Sequence, residues 1–359
     1  VYTDGKGEYS WNMGGRTLTV SDGAALTGVV SDVNLSNASS VEVAGSLTLQ
    51  NNSDSTSVRN TNLNVNLLDN GTLTLEKYVS LSNVTATGNS NTLMMNFTSV
   101  IDSFTLNGGT LDFSAGTINN LTNNSGASAF GKGAAFGSVS NYGQFSLVSG
   151  SANSISSSDD LIINGGSAEN VTVSSGTLTI SGGSINTVEN SGTADFNAGT
   201  VANFRNTDSG TLNLSGSASV SERLTNAGAL SITGGSVEAL NNSGANASIS
   251  GGQVNSIINS GSSLTIDSGI IGNMTNTAAG SVVVGGGMFE SEIINRGDLR
   301  FSGNATTGKI TNENTLTIDS GVNLTVNTPL GEVAIENKAG GTVNLDGTLV
   351  NGSAEKTGT

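Results

Sequence analysis

Apolar residues recur along this chain as short alternating stretches that are separated by turns. Leu178 and Ile180 stand two residues apart, and a second apolar pair such as Val237 and Leu240 follows a Gly-rich turn. Alternation with a period of two is typical of β-strands, while Gly and Asn between the stretches supply positive φ angles for turns. Because no stretch carries a sustained helical stripe, the pattern predicts an all-β chain.

The alternating stretches form a repeat in which each unit opens on an Asn. The spacing between successive opening residues is 16 to 20 residues, and they are Asn190, Asn206, Asn226, Asn242, Asn259, Asn276, Asn295 and Asn312. Upstream, similar units open on Asn107, Asn123 and Asn141, and Ser157 and Ser174 stand where the next two Asn are expected. One such unit buries almost nothing by itself, whereas stacked units bury a continuous core. The repeat therefore predicts a single elongated parallel β-helix (β-solenoid) with about 17–20 residues per rung.

The repeated Asn are predicted to have a structural role. Stacked amides at one position per rung form a hydrogen-bonded ladder, and turn propensity alone is the alternative explanation. At about 17 residues per rung the chain gives about 20 rungs, and at ~4.8 Å each they form a rod of about 100 Å. The six-residue periodicity of left-handed hexapeptide helices is absent, which favours a right-handed solenoid.

The regularity of the repeat divides the chain, although no linker interrupts it. We expect one solenoid domain over 1–359, in which 1–20 are the N-terminal cap or the first rung and include Trp11. Residues 21–105 are expected to form less regular rungs, and 106–353 the regular ones. Caps are needed because exposed strand edges at the end of a solenoid recruit other chains.

Composition removes several classes of function. The chain has 50 Gly, 1 Pro, no Cys and no His, and its formal net charge is −16. Nucleic-acid binding needs a basic stripe, so this charge argues against it. Without His or Cys there is no Ser-His-Asp triad, thiolate chemistry or Cys/His metal site, and the Gly-Gly strings lack the Asp of Ca²⁺-binding repeats. We expect no catalytic, cofactor-binding or metal-binding residues.

Turns such as NSG, followed by Leu-x-Ile, Gly-Gly and Val, resemble the passenger domains of bacterial autotransporter adhesins. The resemblance covers most of 105–350 and is one of composition and period. It implies a right-handed β-helix that lies outside the cell, at the surface of a Gram-negative bacterium, with roles in adhesion, self-association or biofilm formation. Any membrane anchor is expected to lie outside this chain.

Three functions remain open from the sequence. The first is contact through the side of the rod, either with itself or with a host or cell-surface glycan or protein. The alternative is a structural subunit of a self-assembling surface fibre or layer, in which the last rung near GTVNLDGTLVNGS adds a strand to a neighbour. The third, a polysaccharide-cleaving enzyme, is disfavoured because the basic residues are few and scattered: Arg205, Arg223, Arg296, Arg300 and Lys309. We therefore do not expect an enzyme.

Overall fold

The described part of the chain is a parallel β-solenoid. A computed structural model describes residues 16–29, 40–51, 59–261, 263–329 and 332–352. These residues contain strands and no helix, and the strands stack as parallel coils in a solenoid of about 16 turns. This confirms the predicted all-β class and parallel β-helix. The chain divides into two compact units, Val1–Gly176 and Thr177–Thr359, and each is described by itself.

The first unit holds fifteen strands in its described residues. They are β1 Thr17–Val20, β2 Ala25–Val29, β3 Ser40–Val43, β4 Ser46–Gln50, β5 Arg59–Leu67, β6 Thr72–Leu75, β7 Val79–Ala86, β8 Thr92–Met95, β9 Val100–Leu106, β10 Gly109–Phe113, β11 Thr117–Asn123, β12 Ala127–Asn141, β13 Gln144–Ser157, β14 Leu161–Ile163 and β15 Ser167–Val173. Strands pair in parallel with the coil before and the coil after, as β7 does with β5 and β9. The predicted cap over 1–20 lies outside the described residues except at 16–20, where β1 forms.

The second unit holds eighteen strands in its described residues. They are β16 Thr177–Asn190, β17 Thr193–Asn206, β18 Thr211–Asn226, β19 Ala229–Ile232, β20 Ser236–Asn242, β21 Asn246–Asn259, β22 Leu264–Asn276, β23 Ser281–Val284, β24 Met288–Phe289, β25 Ile293–Asn295, β26 Asp298–Phe301, β27 Ala305–Thr307, β28 Ile310–Asn312, β29 Thr315–Ile318, β30 Asn323–Val326, β31 Ile335–Asn337, β32 Thr342–Leu345 and β33 Thr348–Asn351.

Each regular coil of the second unit has three faces. In β16 the first face is 177–180, the second is 184–185 and the third is 187–190, and register shifts mark the turn between the first and second faces. The same three segments recur in β17, which pairs with β16 along its whole length. Alternate side chains point inward, so that Leu178 and Ile180 are fully buried while the alternating Thr177 and Thr179 are partly exposed. The period-two pattern thus assigns the residues of this strand segment to the core or to the outer surface.

Aromatic side chains reinforce the core of the first unit. Phe104, Phe113, Phe136 and Phe145 form an edge-to-face stack with ring centroids 5.1, 5.7 and 5.6 Å apart. All four are at most 2% exposed. Aromatic pairs in this geometry contribute about 0.5–1.5 kcal/mol beyond the area that they bury. The coils that carry these four rings are therefore stabilised by aromatic contacts as well as by aliphatic packing.

The number of coils is smaller than the sequence suggested. The expectation of about 20 rungs is wrong, because several coils are longer than the regular repeat. Thr17 pairs with Ser40 and Ser40 with Asn64, which gives coils of 23 and 24 residues. Near the other end of the sequence, Asn312 and Asn337 lie 25 residues apart. The right-handed sense and the single domain over 1–359 stay predictions.

Thr307 is a polar residue at an inward position of β27. It is 0% exposed, and its hydroxyl has no hydrogen-bond partner among the described residues. Its partner in the next coil, Val326, is also fully buried. We expect Thr307→Val to raise the free energy of unfolding by about 1 kcal/mol, because it replaces an unsatisfied hydroxyl with a methyl group of the same shape. Urea denaturation followed by circular dichroism measures the change.

Thr311 in β28 is the matched control for this substitution. It is 7% exposed, and its hydroxyl donates to Glu292 Oε1 at 2.6 Å. Thr311→Val removes that bond and should lower the free energy of unfolding by about 1 kcal/mol. If the two variants changed stability in the same direction, the unsatisfied hydroxyl of Thr307 would not explain the effect.

Candidate functional site

An uninterrupted ladder of asparagine amides lies inside the second unit. The eight Asn that open the repeats, Asn190 to Asn312, occupy the last position of the third face and are 0–1% exposed. Each Nδ2 donates to Oδ1 of the Asn in the next coil, over distances of 2.8–3.0 Å. Asn312 continues the row to a ninth residue, Asn337, at 2.8 Å. The geometry is that of a buried hydrogen-bonded stack and offers no side chain to a ligand.

For six of the eight ladder residues, from Asn190 to Asn276, the carbonyl of a glycine in the following turn accepts a further hydrogen bond from the amide. Asn190 Nδ2 donates to the carbonyl of Gly192 at 3.0 Å, and Asn206 Nδ2 donates to that of Gly210 at 3.1 Å. A side chain on the turn glycine would collide with this arrangement, since a Cβ on Gly210 would lie 2.2 Å from Asn206 Oδ1. The spacing Asn-x-Gly or Asn-x₃-Gly in the sequence therefore corresponds to one structural unit, in which the ladder amide donates to the carbonyl of the turn glycine.

The first unit contains a shorter ladder, which includes three of the five positions predicted there. Asn123 donates to Asn141 Oδ1 at 2.7 Å, and Asn141 donates to Ser157 Oγ at 2.9 Å. In register with Ser157 the next coil has Val173, and in register with Asn123 the preceding coil has Leu106.

Two of the predicted unit-opening residues therefore stand one position too late. Asn107 and Ser174 are exposed turn residues, and the buried ladder positions before them are Leu106 and Val173. Asn123 Oδ1 is accordingly buried without a partner, because the leucine before it has no group to donate.

The outer surface of the second unit is polar and largely uncharged on its first face. The outward residues of neighbouring coils lie in register, so that Thr179 is followed by Asp195 and Asn213. From β18 to β23 these outward positions carry only Thr, Asn, Ala, Ser and Val, although the whole chain has a net charge of −16. From β18 to β23 the first face therefore presents an uncharged surface to solvent.

Four of the five basic residues that the sequence analysis examined pair with carboxylates of neighbouring coils. Arg205 binds Glu189 at 2.6 Å, Arg296 binds Glu313 at 3.0 Å, and Arg300 binds Asp319 at 2.7 Å. Lys309 binds Glu336 at 2.6 Å. These pairs lie on the surface, and exposed pairs contribute at most about 1 kcal/mol each.

Lys309 and Lys338 hold the pKa of the Glu336 carboxyl at about 2, below its ordinary value of 4.5. The hydrogen bond from Lys309 is the largest cause, and the hydrogen bond from Lys338 is the second. A lowered pKa means that this pairing stabilises the fold above the unfolded-state pKa. The contribution is lost as the pH falls from about 4.5 to about 2.

We expect Lys309→Met to raise the pKa of Glu336 toward 4.5, because the largest stabilising hydrogen bond to the carboxylate is removed. A carboxyl-detected NMR titration measures the shift. Lys132→Met, which breaks the surface pair with Asp112 in the first unit, is the control and should leave Glu336 unchanged. A Glu336 pKa that stayed at about 2 in the Lys309 variant would contradict this explanation.

Within the described ranges, no group of three or more Asp or Glu side chains comes close enough together to hold a metal ion. The same ranges contain no helix with the length and apolar character that a membrane crossing requires. Comparisons of the chain with protein-family models, curated proteins and solved structures find no match. The structure thus identifies the chain as a β-solenoid.

Proposed function

We propose that this chain is a surface-contact protein, similar to an autotransporter adhesin passenger, that mediates cell–cell or cell–surface contact through the side of its solenoid. The observation that carries the proposal is the uncharged polar outer face from β18 to β23 in a chain of net charge −16. Regularly spaced hydroxyls and amides can bond to a second copy or to a glycan or protein on a cell surface. On this proposal the chain works outside the cell.

The interior supports a display role in preference to a chemical one. Most of the buried polar side chains described in the second unit are the ladder amides, which bond to one another and to turn carbonyls and connect successive coils. Rigid, repetitive scaffolds of this kind present extended binding surfaces. Weak contacts on many copies then add by avidity, so that no single site needs high affinity.

Bead settling and attachment test the proposal directly. Beads that carry the chain are expected to settle together, or to attach to cell monolayers, faster than beads that carry an unrelated acidic protein. Mixing two fluorescent colours separates homotypic contact from attachment to a second surface. If coated and control beads behaved alike with each other and with cells, the contact function would be wrong.

A second candidate function is supported by the exposed last described coil. Leu345 is 51% exposed and Leu349 38%, although their partners in the preceding coil, Ile318 and Leu324, are fully buried. Unpaired strand edges with apolar inward residues recruit further strands. We therefore retain a structural subunit of a fibre or layer, joined end to end, as the alternative.

End-to-end assembly stands second because it rests on the two exposed leucines Leu345 and Leu349, whereas the uncharged first face extends over several coils. Sedimentation velocity over a concentration series tests assembly. The Leu345→Asp variant should abolish it, whereas Val333→Asp, at an exposed site outside the strands, should not. A chain that sediments as a monomer throughout would remove the candidate.

A further inference from the structure

A shallow depression lies on the first face of the second unit, where four successive coils carry short outward side chains. It has a volume of about 370 Å³, within the range of small-molecule sites. Two rows of outward residues line it, namely Thr211, Ala229, Asn246 and Ser263 in one row and Asn213, Ser231, Ser248 and Thr265 in the other, and the apolar side chains of Leu230 and Ala247 lie between the rows. We call this the first-face depression. Its floor is low at Ala229, Ser231 and Ser248, which are shorter than the asparagines beside them.

The polar groups of the first-face depression are available to a ligand. Thr211, Ser231, Asn246 and Thr265 make no side-chain hydrogen bond to the described part of the chain. Asn213 uses its Nδ2 to donate to Asp195 Oδ1 at 2.8 Å, which leaves its own Oδ1 as an acceptor that faces outward. Hydroxyl donors and amide acceptors thus lie in two parallel rows, with neighbouring coils about 4.8 Å apart.

The charge and shape of the first-face depression exclude most classes of partner. None of its lining residues is charged, and the chain as a whole is strongly negative, so a polyanion would be repelled. Protein interfaces depend on aromatic, Met or Arg anchors, and the lining offers none to a partner. A second copy placed face to face by two-fold symmetry would set one concave surface against another and leave a void. A narrow, uncharged occupant that forms hydrogen bonds and also covers the apolar surface between the rows fits this lining.

We propose that the first-face depression binds the chain of a neutral polysaccharide. Sugar hydroxyls both donate and accept, which matches the mixed Ser, Thr and Asn lining, and an extended sugar chain can follow the two rows across several coils. Because the lining lacks an aromatic platform, each site binds weakly, and firm attachment requires many copies of the protein on one surface. This inference rests on the proposed contact function and names its partner class.

The test uses the full chain with defined sugars. Cellohexaose, maltohexaose, xylohexaose and mannohexaose serve as neutral probes and hexagalacturonate as the charged one, followed by saturation-transfer NMR. We expect at least one neutral hexasaccharide to bind and the charged one to fail. Ser231→Glu fills the depression and should weaken binding about tenfold or more. Thr179→Glu places the same side chain on the same row three coils away, outside the depression, and should change it less than about twofold.

Each contrary result overturns the proposal in a distinguishable way. The proposed site would be wrong if no neutral sugar bound, if the charged sugar bound more tightly than the neutral ones, or if both variants weakened binding equally. Bead settling separates this failure from failure of the contact function. If no sugar bound while wild-type and Ser231→Glu beads both settled together, contact would stand and the depression would have no part in it. If sugars bound but coated beads neither settled together nor attached to cells, the contact function would be wrong and the sugar-binding site would still stand.

Discussion

Replacing Asn242 by alanine is expected to lower the free energy of unfolding by about 2–5 kcal/mol. Asn242 is 1% exposed and lies in the middle of the ladder, where it accepts from Asn226 and donates to Asn259, both at 2.8 Å. The substitution leaves an amide donor on one side and an amide acceptor on the other, both buried and unsatisfied. Each such group costs about 1–3 kcal/mol, and the lost packing adds to the total.

The end of the ladder provides the control for Asn242→Ala. Asn337 has the same side chain at the same register but is exposed, so water can replace its partners. Asn337→Ala should therefore cost less than about 1 kcal/mol. Urea denaturation by circular dichroism gives the two values, and amide hydrogen exchange should show lost protection in the coils next to Asn242. Equal losses for the two variants would mean that burial of the amide row is not what stabilises the coils.

The fold could be predicted because the interior of the solenoid restricts which residue types can occupy the inward positions. Inward residues must be apolar at every second position, and the ladder residue must bond to its neighbours above and below. Both requirements produce a repeat that can be recognised from residue spacing alone, as between Asn242, Asn259 and Asn276. The longer coils do not follow this regular spacing, so that the regular spacing predicts too many turns.

The exact ladder register needed a more local signal than the turn sequence. In the second unit each ladder residue follows an inward apolar residue by two positions, as Asn259 follows Ile257. By that rule the ladder residue after Phe104 is Leu106, and the one after Val171 is Val173. Asn107 and Ser174 resemble ladder residues only because Asn and Ser are also favoured in turns. The same rule identifies Asn337, two positions after Ile335, as a ladder residue. Regular spacing does not identify it, because its distance in sequence from Asn312 is longer than the repeat.

The outer surface could not be predicted in the same way. Outward positions face water, so folding accepts almost any polar residue there, and the repeat carries no information about contact. The first-face depression arises because Ala229 and Ser231 lie in register beside Thr211 and Asn213. These residues are 18 positions apart in the sequence, and their difference in size becomes a surface feature only when the coils are stacked. A binding hypothesis at this site therefore depends on the register and not on a motif.

The turn glycines should tolerate change about as poorly as the ladder residues, and Gly261→Ala is the variant that tests this. A Cβ on Gly261 would lie 2.1 Å from the Gly244 carbonyl oxygen and 2.8 Å from Asn242 Nδ2. The coils cannot separate at this corner without breaking the ladder bond between Asn242 and Asn259. We expect a loss of about 3 kcal/mol or more in the free energy of unfolding, at the upper end of overpacking costs.

Gly126→Ala separates crowding from backbone strain as the cause of that loss. Gly126 has a φ of +80°, but a Cβ there would meet nothing within 4 Å. Its substitution should cost only the strain of a left-handed conformation, about 1–2 kcal/mol. Denaturant midpoints of the two variants give the comparison, and amide exchange should report weakened bonds at 242–259 for Gly261→Ala alone. A larger loss at Gly126 would mean that positive φ, and not the close approach of successive coils, is what requires glycine at these turns. The predicted order follows from geometry, because a turn stacked directly on its neighbour has no free space toward which a new methyl group can point.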